Sequence, residues 1–206
     1  MMFGFHENKG DSMLKSLFPM VLALTLSACG TTASVLKYSP APDQLPRATV
    51  SIQPAMVGTF ADEREGDKKW LGVIRGGFGN HLKTLEADRP VNAMVKSAFE
   101  DGLRARKVGL AENAPLRLSG RIAKLYADQL VRREGVAEVE LVVADAQGNK
   151  RFSKTYTVNR VEGSAITLST GVFASIDELR NVLERTLTDL VDKALDDTEL
   201  RAALQI

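Results

Sequence analysis

Cysteine and histidine are nearly absent from this chain of 206 residues, which contains one cysteine, Cys29, and two histidines, His6 and His81. A disulfide within the chain is therefore excluded, so the hydrophobic core alone must hold the fold. Catalytic Ser-His-Asp and Cys-His arrangements, and zinc sites made from histidine and cysteine, lack the residues they need. The sequence predicts a protein that is not an enzyme and that takes no metal and no cofactor.

The chain also lacks an excess of charge of one sign. Its 27 lysine and arginine residues are balanced by 26 aspartate and glutamate residues. Proteins that hold nucleic acid or an anionic surface through charge need a basic excess. We therefore expect no nucleic-acid partner. The hydrophobic content of 44% is that of an ordinary globular protein.

The apolar run near the N-terminus, residues 17–26, is too short for a permanent membrane span. A span takes about 20 apolar residues, and this run has half that length. Lys15 precedes it and supplies the positive charge that begins a signal peptide. We predict a signal peptide over residues 1–28. Met13 is the favoured start, because the residues before it include two acids.

The most informative feature is the sequence Leu26-Ser27-Ala28-Cys29, which follows that apolar run directly. It is typical of a bacterial lipoprotein precursor, in which small residues pass through the signal peptidase and the thiol receives diacylglycerol. We predict that Cys29 becomes the N-terminus and carries diacylglycerol and an N-acyl chain, since two or more chains give stable anchoring. Gly30 follows, and no aspartate. This favours the periplasmic face of the outer membrane over the inner membrane.

The mature chain is predicted to have two parts. Residues 29–47 contain three prolines and read as a flexible, lipidated tether. Extended at about 3.1 Å per residue, residues 31–47 could lift the domain roughly 50 Å from the membrane. Residues 48–206 are long enough for one periplasmic domain with its own core.

Hydrophobic periodicity predicts strands and helices in that domain. The elements are a strand at 48–55, a short strand at 69–75, a helix at 90–107, strands at 116–130, 136–144 and 150–162, a helix from Ser175, and a short helix at 198–204. Ser175 and Glu178 form a capping box, and Asp189 and Lys193 are spaced to pair along the last long helix. Two amphipathic helices on one face of a mostly antiparallel sheet would make a two-layer α+β sandwich.

The middle strand alternates cleanly between two faces. Ala137, Val139, Leu141 and Val143 face one way, and Glu138 and Glu140 face the other. Two carboxylates on one face could serve as acid and base in a hydrolase. Charged positions on the outer face of a sheet explain them more simply.

Two loops carry candidate binding residues. Arg75, Gly76 and Gly77 open a glycine-rich stretch in which backbone amides and a guanidinium could hold a carboxylate or phosphate. A tight hairpin turn, with Arg75 paired to Asp62, is the favoured alternative. Ile166 and Phe173 are apolar residues in a predicted loop, where they mark either a docking surface or an extension of the core.

Taken in order, several segments resemble the YajG-type lipoproteins of Gram-negative bacteria. They are the lipobox, Asp62-Glu63-Arg64, Leu71-Gly72, Arg75-Gly76-Gly77, Leu103-Arg104-Ala105-Arg106-Lys107, Leu125-Tyr126-Ala127-Asp128, Gly148-Asn149-Lys150, Val161-Glu162-Gly163 and Leu187-Thr188-Asp189-Leu190. The resemblance covers most of the mature chain. Asp62 and Arg64, which lie in one of these segments, are also candidate binding residues. It implies an outer-membrane lipoprotein, with no catalytic residues to carry over.

These observations lead to one favoured function and one alternative. The favoured function is a membrane-anchored binding or scaffold module that docks an envelope protein. The alternative is an accessory lipoprotein of an ABC-type lipid or lipopolysaccharide transport system.

Overall fold

A computed structural model describes residues 1, 30–40, 53–163 and 173–206. In these ranges the chain forms a seven-stranded sheet and three helices. The elements are β1 (Gly30–Ser34), β2 (Met56–Asp62), β3 (Trp70–Arg75), β4 (His81–Ala87), α1 (Val91–Ala105), β5 (Leu116–Gln129), β6 (Arg133–Asp145), β7 (Lys150–Glu162), α2 (Ile176–Leu195) and α3 (Thr198–Leu204).

The sheet is mixed, so the prediction of a mostly antiparallel sheet was wrong. Its order is β1-β4-β3-β5-β6-β7, and β2 pairs with β5. Among the described strands, three pairings are antiparallel (β3 with β4, β5 with β6, β6 with β7), and three are parallel (β1 with β4, β2 with β5, β3 with β5). β4 runs antiparallel to β3, and α1 then carries the chain from the end of β4 to the distant start of β5, so β5 runs in the same direction as β3. β2 and β3 lie end to end along β5.

The long helices cover one face of this sheet, and the overall class is α+β as predicted. The inward side chains Val139 and Leu141 of β6 join Phe99 of α1 and Leu187 of α2 in one core cluster. The described helices number three rather than two, since the short C-terminal helix α3 also packs on the sheet. The inward-facing side chains of β6 that the sequence pattern predicted are therefore the ones that contact the helix layer.

Two glycines allow the layers to approach closely. A Cβ on Gly102 of α1 would lie 2.6 Å from Cγ1 of Val191 in α2. A Cβ on Gly135 of β6 would lie 2.2 Å from Oγ1 of Thr186, which is fully buried in α2. Small residues at these positions set the spacing of α1, α2 and the sheet.

Residues 30–40, predicted as part of an extended tether, are instead folded against the domain. β1 pairs with β4, and Leu36 is buried to 1% exposure. The Tyr38 hydroxyl donates to Asp192 at 2.7 Å, and the Ser39 amide donates to Thr188 at 3.2 Å. Apolar and β-branched residues between Thr31 and Tyr38 provide these contacts. The prolines that follow them favoured the prediction of an extended tether over that of a strand. Of the tether predicted over residues 29–47, residues 30–40 therefore belong to the folded domain, and the others lie outside the described residues.

Other boundaries differ in smaller ways. Most of the strand predicted at 48–55 lies outside the described residues, and the observed strand β2 begins later, at Met56. β4 was not predicted, because the glycine-rich stretch before it hid its short alternation. Ser175 caps α2 by accepting from the Glu178 amide at 3.4 Å, whereas the Glu178 carboxylate contacts Arg133.

The predicted pair of Asp189 and Lys193 on α2 is not formed. Asp189 instead binds Arg160 of β7 at 2.5 Å, and Lys193 donates to the Thr157 carbonyl at 2.9 Å. Partners on the neighbouring strand displace the local pairing along the helix, because α2 packs beside β7.

Candidate functional site

Several strand ends and turns meet at one end of the sheet, which we call the loop end. β1 and β4 start there, since Gly30 pairs with Lys83. β3 ends there at Arg75, and β5 ends there at Gln129. The turn at 130–132 therefore lies at this end, as do the start of β6 and the end of β7.

The start of α2 also belongs to the loop end. The Lys83 ammonium of β4 donates to the Ala174 carbonyl at 2.7 Å, and Arg133 at the start of β6 contacts Glu178 of α2. Phe173 precedes Ala174 and therefore lies near the start of β4. The loop end thus combines the residue after Cys29, two tight turns, the end of β7 and the beginning of α2.

The loop end carries every large hydrophobic side chain that is exposed in the described parts of the chain, apart from Met1. Their exposed fractions are Phe78 102%, Leu130 46%, Val131 49%, Val161 52% and Phe173 87%. They come from four separate segments of sequence. Exposed apolar side chains gathered at one end of a domain are candidates for an interaction surface.

The Arg75-Gly76-Gly77 segment forms the hairpin turn at the loop end. The Gly76 amide donates to the Asn80 carbonyl at 2.8 Å, and Gly79 has a φ of 80°, which favours glycine. Arg75 pairs with Asp128 at 2.7 Å, and the Asp128 carboxylate raises the pKa of Arg75. The turn was expected, but its charged partner is Asp128 rather than Asp62.

Asp62 and Arg64 lie away from the loop end and form a buried structural contact. The Arg64 guanidinium binds both Asp62 carboxylate oxygens at 2.9 Å and donates to the Trp70 carbonyl at 2.8 Å and the Leu125 carbonyl at 3.3 Å. Burial raises the pKa of Asp62, but the Arg64 guanidinium outweighs it and holds that pKa below its ordinary value. Arg64 has its donors directed into the protein, where they join β2, β3 and β5.

The sheet face opposite the helices bears a second candidate surface. A cleft of about 480 Å³ there, which we call the Trp70 cleft, is lined by Glu63, Arg64, Glu65, Trp70, Ala123, Lys124, Leu125 and Tyr126. The Trp70 and Tyr126 rings are tilted by 30°, with centroids 5.7 Å apart. Aromatic side chains with polar atoms at one edge are common at protein interfaces.

Carboxylates on this open face are neutralised by cations on the neighbouring strand. Glu138 pairs with Lys124 at 2.9 Å, and Glu140 pairs with Arg121 and accepts from the Ser153 hydroxyl at 2.7 Å. The Ser153 hydroxyl and the Arg121 guanidinium together lower the pKa of Glu140. The geometry is that of a cross-strand charge ladder.

The acidic residues near the C-terminus also have structural partners. Asp196 accepts from the buried Arg106 at 2.8 Å. Asp197 accepts from Lys154 at 2.7 Å and from the Tyr156 hydroxyl at 2.8 Å, and these donors lower its pKa to about 2. These contacts join the residues that follow α2 to Arg106, just after α1, and to β7.

The structure thus brings together Arg75, Gly76, Gly77 and Phe173, and it separates them from Asp62 and Arg64. The other predicted site residues, Leu26, Ser27, Ala28, Cys29 and Ile166, lie outside the described residues. Sequence reasoning missed Trp70, Tyr126, Leu130, Val131 and Val161. Large apolar residues at strand ends were the available signal for the last three.

Comparison with known proteins gives a consistent result. A family described as "uncharacterized lipoprotein" matches residues 54–205. The chain is 25% identical over 181 residues to the uncharacterized lipoprotein YajG of Escherichia coli K12, covering 85% of this chain and 91% of YajG. Among solved structures, protein XCC0632 from Xanthomonas campestris shares the fold, with a TM-score of 0.56, 14% identity, and coverage of 84% of this chain and 96% of that protein. No helix in the described ranges is both long and apolar enough to cross a membrane.

Proposed function

The chain belongs to this family of lipoproteins, and from that premise we propose that it is a lipid-anchored, non-catalytic binding module of the cell envelope. Cys29 would carry the acyl chains, and an envelope protein would be the partner. The observation that carries the binding role is the Trp70 cleft, which lies on the face of the sheet that the long helices leave uncovered.

The anchor is supported by the lipobox and by the position of β1. Gly30 follows Cys29 directly and is already paired in the sheet, so the acyl chains would be attached to the folded domain without intervening slack. Labelled palmitate should enter the protein, and Cys29→Ser should abolish both labelling and membrane fractionation. Thr31→Ser, two residues further on, is the matched control and should change neither. Unchanged maturation and fractionation of Cys29→Ser would overturn the anchor.

The residue after the cysteine supports the outer membrane as the destination. Gly30 stands where enteric lipoproteins kept at the inner membrane have aspartate. Density-gradient separation of the two membranes should place the protein in the outer-membrane fraction, and Gly30→Asp should move it toward the inner one. Recovery of the unaltered protein with inner-membrane markers would contradict this placement.

Binding at the Trp70 cleft can be tested by crosslinking in cells. A photo-crosslinking amino acid at Lys124, which lines the cleft and is 52% exposed, should yield a defined adduct with an envelope protein. The same probe at the exposed Glu112 is the control. Trp70→Ala should reduce the Lys124 adduct severalfold, because aromatic side chains carry much of the binding energy of interfaces.

The same preparation distinguishes the transport alternative. Mass spectrometry should find no lipid in the cleft beyond the covalent acyl chains. Stoichiometric co-purifying lipid that is lost with Trp70→Ala would overturn a protein-binding cleft in favour of an accessory role in lipid transport. Equal adducts from Lys124 and Glu112 would also count against the cleft.

A further inference from the structure

We propose that the loop end lies in the surface of the bilayer that carries the Cys29 acyl chains, with Phe78, Val131 and Phe173 inserted between the lipid headgroups. This inference rests on the proposed anchor at Cys29. It adds a second contact with the membrane, made by side chains of the folded domain.

The first argument is position. Gly30 pairs with Lys83 at the start of β4, and the turn after Arg75 precedes β4 at the same end of the sheet. Acyl chains on the residue before Gly30 would therefore emerge at the loop end. The bilayer that receives these chains must lie against that end, because no extended segment separates Cys29 from β1.

The second argument is the distribution of apolar side chains. Phe78 and Phe173 are 102% and 87% exposed, and Leu130, Val131 and Val161 are about half exposed at the same end. Arg132 follows Leu130 and Val131 in the turn and is exposed, so its cation can meet lipid phosphates while the apolar residues enter. Apolar side chains with a basic side chain beside them suit an interfacial membrane contact.

The opposite end of the sheet lacks this character. It is formed by the β6–β7 turn, where Asp145 accepts from the amides of Gln147 and Asn149. Among the described residues, none of the exposed large hydrophobic side chains lies there. The contrast gives the molecule one apolar pole, and that pole coincides with the predicted lipid attachment.

Depth-dependent quenching can test the contact on the full lipidated protein. Lipidation consumes the single native thiol, so one introduced cysteine gives a unique labelling site. Phe78→Cys and Val131→Cys place a fluorophore at the loop end, and Gln147→Cys places it roughly 40 Å away along β6. The labelled proteins are reconstituted in phosphatidylethanolamine–phosphatidylglycerol vesicles containing nitroxide lipids. We expect quenching at positions 78 and 131 to be at least about threefold stronger than at 147, as for side chains 5–10 Å deep in the interface.

A second variant separates insertion from mere proximity. In the Val131→Cys background, Phe78→Asp with Phe173→Asp should lower quenching at least about twofold, because carboxylates oppose entry into the interface. Both positions are exposed, and the fold can be verified by the thermal transition of Trp70 fluorescence. Unchanged quenching in this variant would overturn insertion.

The outcomes distinguish this inference from the anchor itself. Protein that takes no acyl chains and does not remain with vesicles refutes the anchor. Protein that remains with vesicles but shows equal quenching at positions 78, 131 and 147 refutes only the bilayer contact. A blue-shifted label that nitroxide lipids do not quench means that a protein or a second copy covers the loop end, which also refutes it.

Discussion

At the scale of single residues, Arg64 joins β2, β3 and β5, because the N–H groups of its guanidinium donate to acceptors on all three strands. Its guanidinium binds Asp62 and reaches carbonyl groups of Trp70 and Leu125. Arg64→Ala should lower the free energy of unfolding by about 3–5 kcal/mol, because it leaves a largely buried carboxylate and several carbonyls without partners. Urea unfolding, followed by the fluorescence of Trp70, measures this.

Two substitutions sharpen this prediction. Arg64→Lys keeps the charge but loses the planar fork, and it should recover only a minor part of the stability. Arg121→Ala removes an exposed ion pair with Glu140 and should leave the urea midpoint nearly unchanged. Equal losses for Arg64→Ala and Arg121→Ala would contradict the structural role given to Arg64.

The sequence indicated that Arg64 and Asp62 matter but not that they bind each other. Their chemistry suits a ligand site as well as an internal ion pair, and only the fold decides which of these applies. Two carbonyl partners, those of Leu125 and Trp70, belong to strands whose parallel neighbours the sequence does not reveal. Arg75 shows the same limit, since its partner Asp128 lies 53 positions away.

At the scale of elements, α2 lies on β6 at the one position where the strand has no side chain. Gly135→Ala should destabilise the protein by about 1–3 kcal/mol, because the new Cβ overlaps Oγ1 and crowds Cβ of Thr186. Thr186→Ala removes the overlapping hydroxyl. The double variant should therefore lose less stability than the two single losses added together, which a double-mutant cycle of urea unfolding would show. Additive losses would mean that the two elements do not meet at this point.

Elements with a strong period were predictable, and those with a weak one were not. The predicted range of β7 and that of α3 match the structure, because alternation or helical spacing persists across each. β1 and β4 are five and seven residues long, and each lies beside glycine- or proline-rich sequence that masks its pattern. Strand order escaped prediction for another reason, since periodicity fixes which face a residue takes but not which strand lies beside it.

At the scale of the whole molecule, the hydrogen bonds and ion pairs of several carboxylates make stability depend on pH. The folded protein lowers the pKa of Asp62, Glu140, Asp145, Glu162 and Asp197. Carboxyls with a lowered pKa stabilise the fold fully above their unfolded pKa values, near 4, and lose that contribution as the pH falls through the folded values. Asp197, with a pKa of about 2, extends the loss to strongly acidic solution.

Urea midpoints should therefore be constant from about pH 7 to pH 5 and should fall steeply between about pH 4 and pH 2. Asp197→Asn should lower stability at pH 7, because Lys154 and Tyr156 lose a charged acceptor. The same variant should show a shallower decline below pH 4. A decline as steep as that of the unaltered protein would show that Asp197 does not contribute to the acid response.

The folding of residues 30–40 onto the domain gives the molecule a fixed height. If the acyl chains are attached at the loop end, as proposed, the thirteen residues of β6 and of β7, at about 3.3 Å each, place the β6–β7 turn roughly 40 Å from the lipid. On that proposal, the length of these strands sets how far the protein extends from the membrane. A partner that meets the far turn must come to that level, and one that meets the Trp70 cleft must approach sideways, parallel to the membrane.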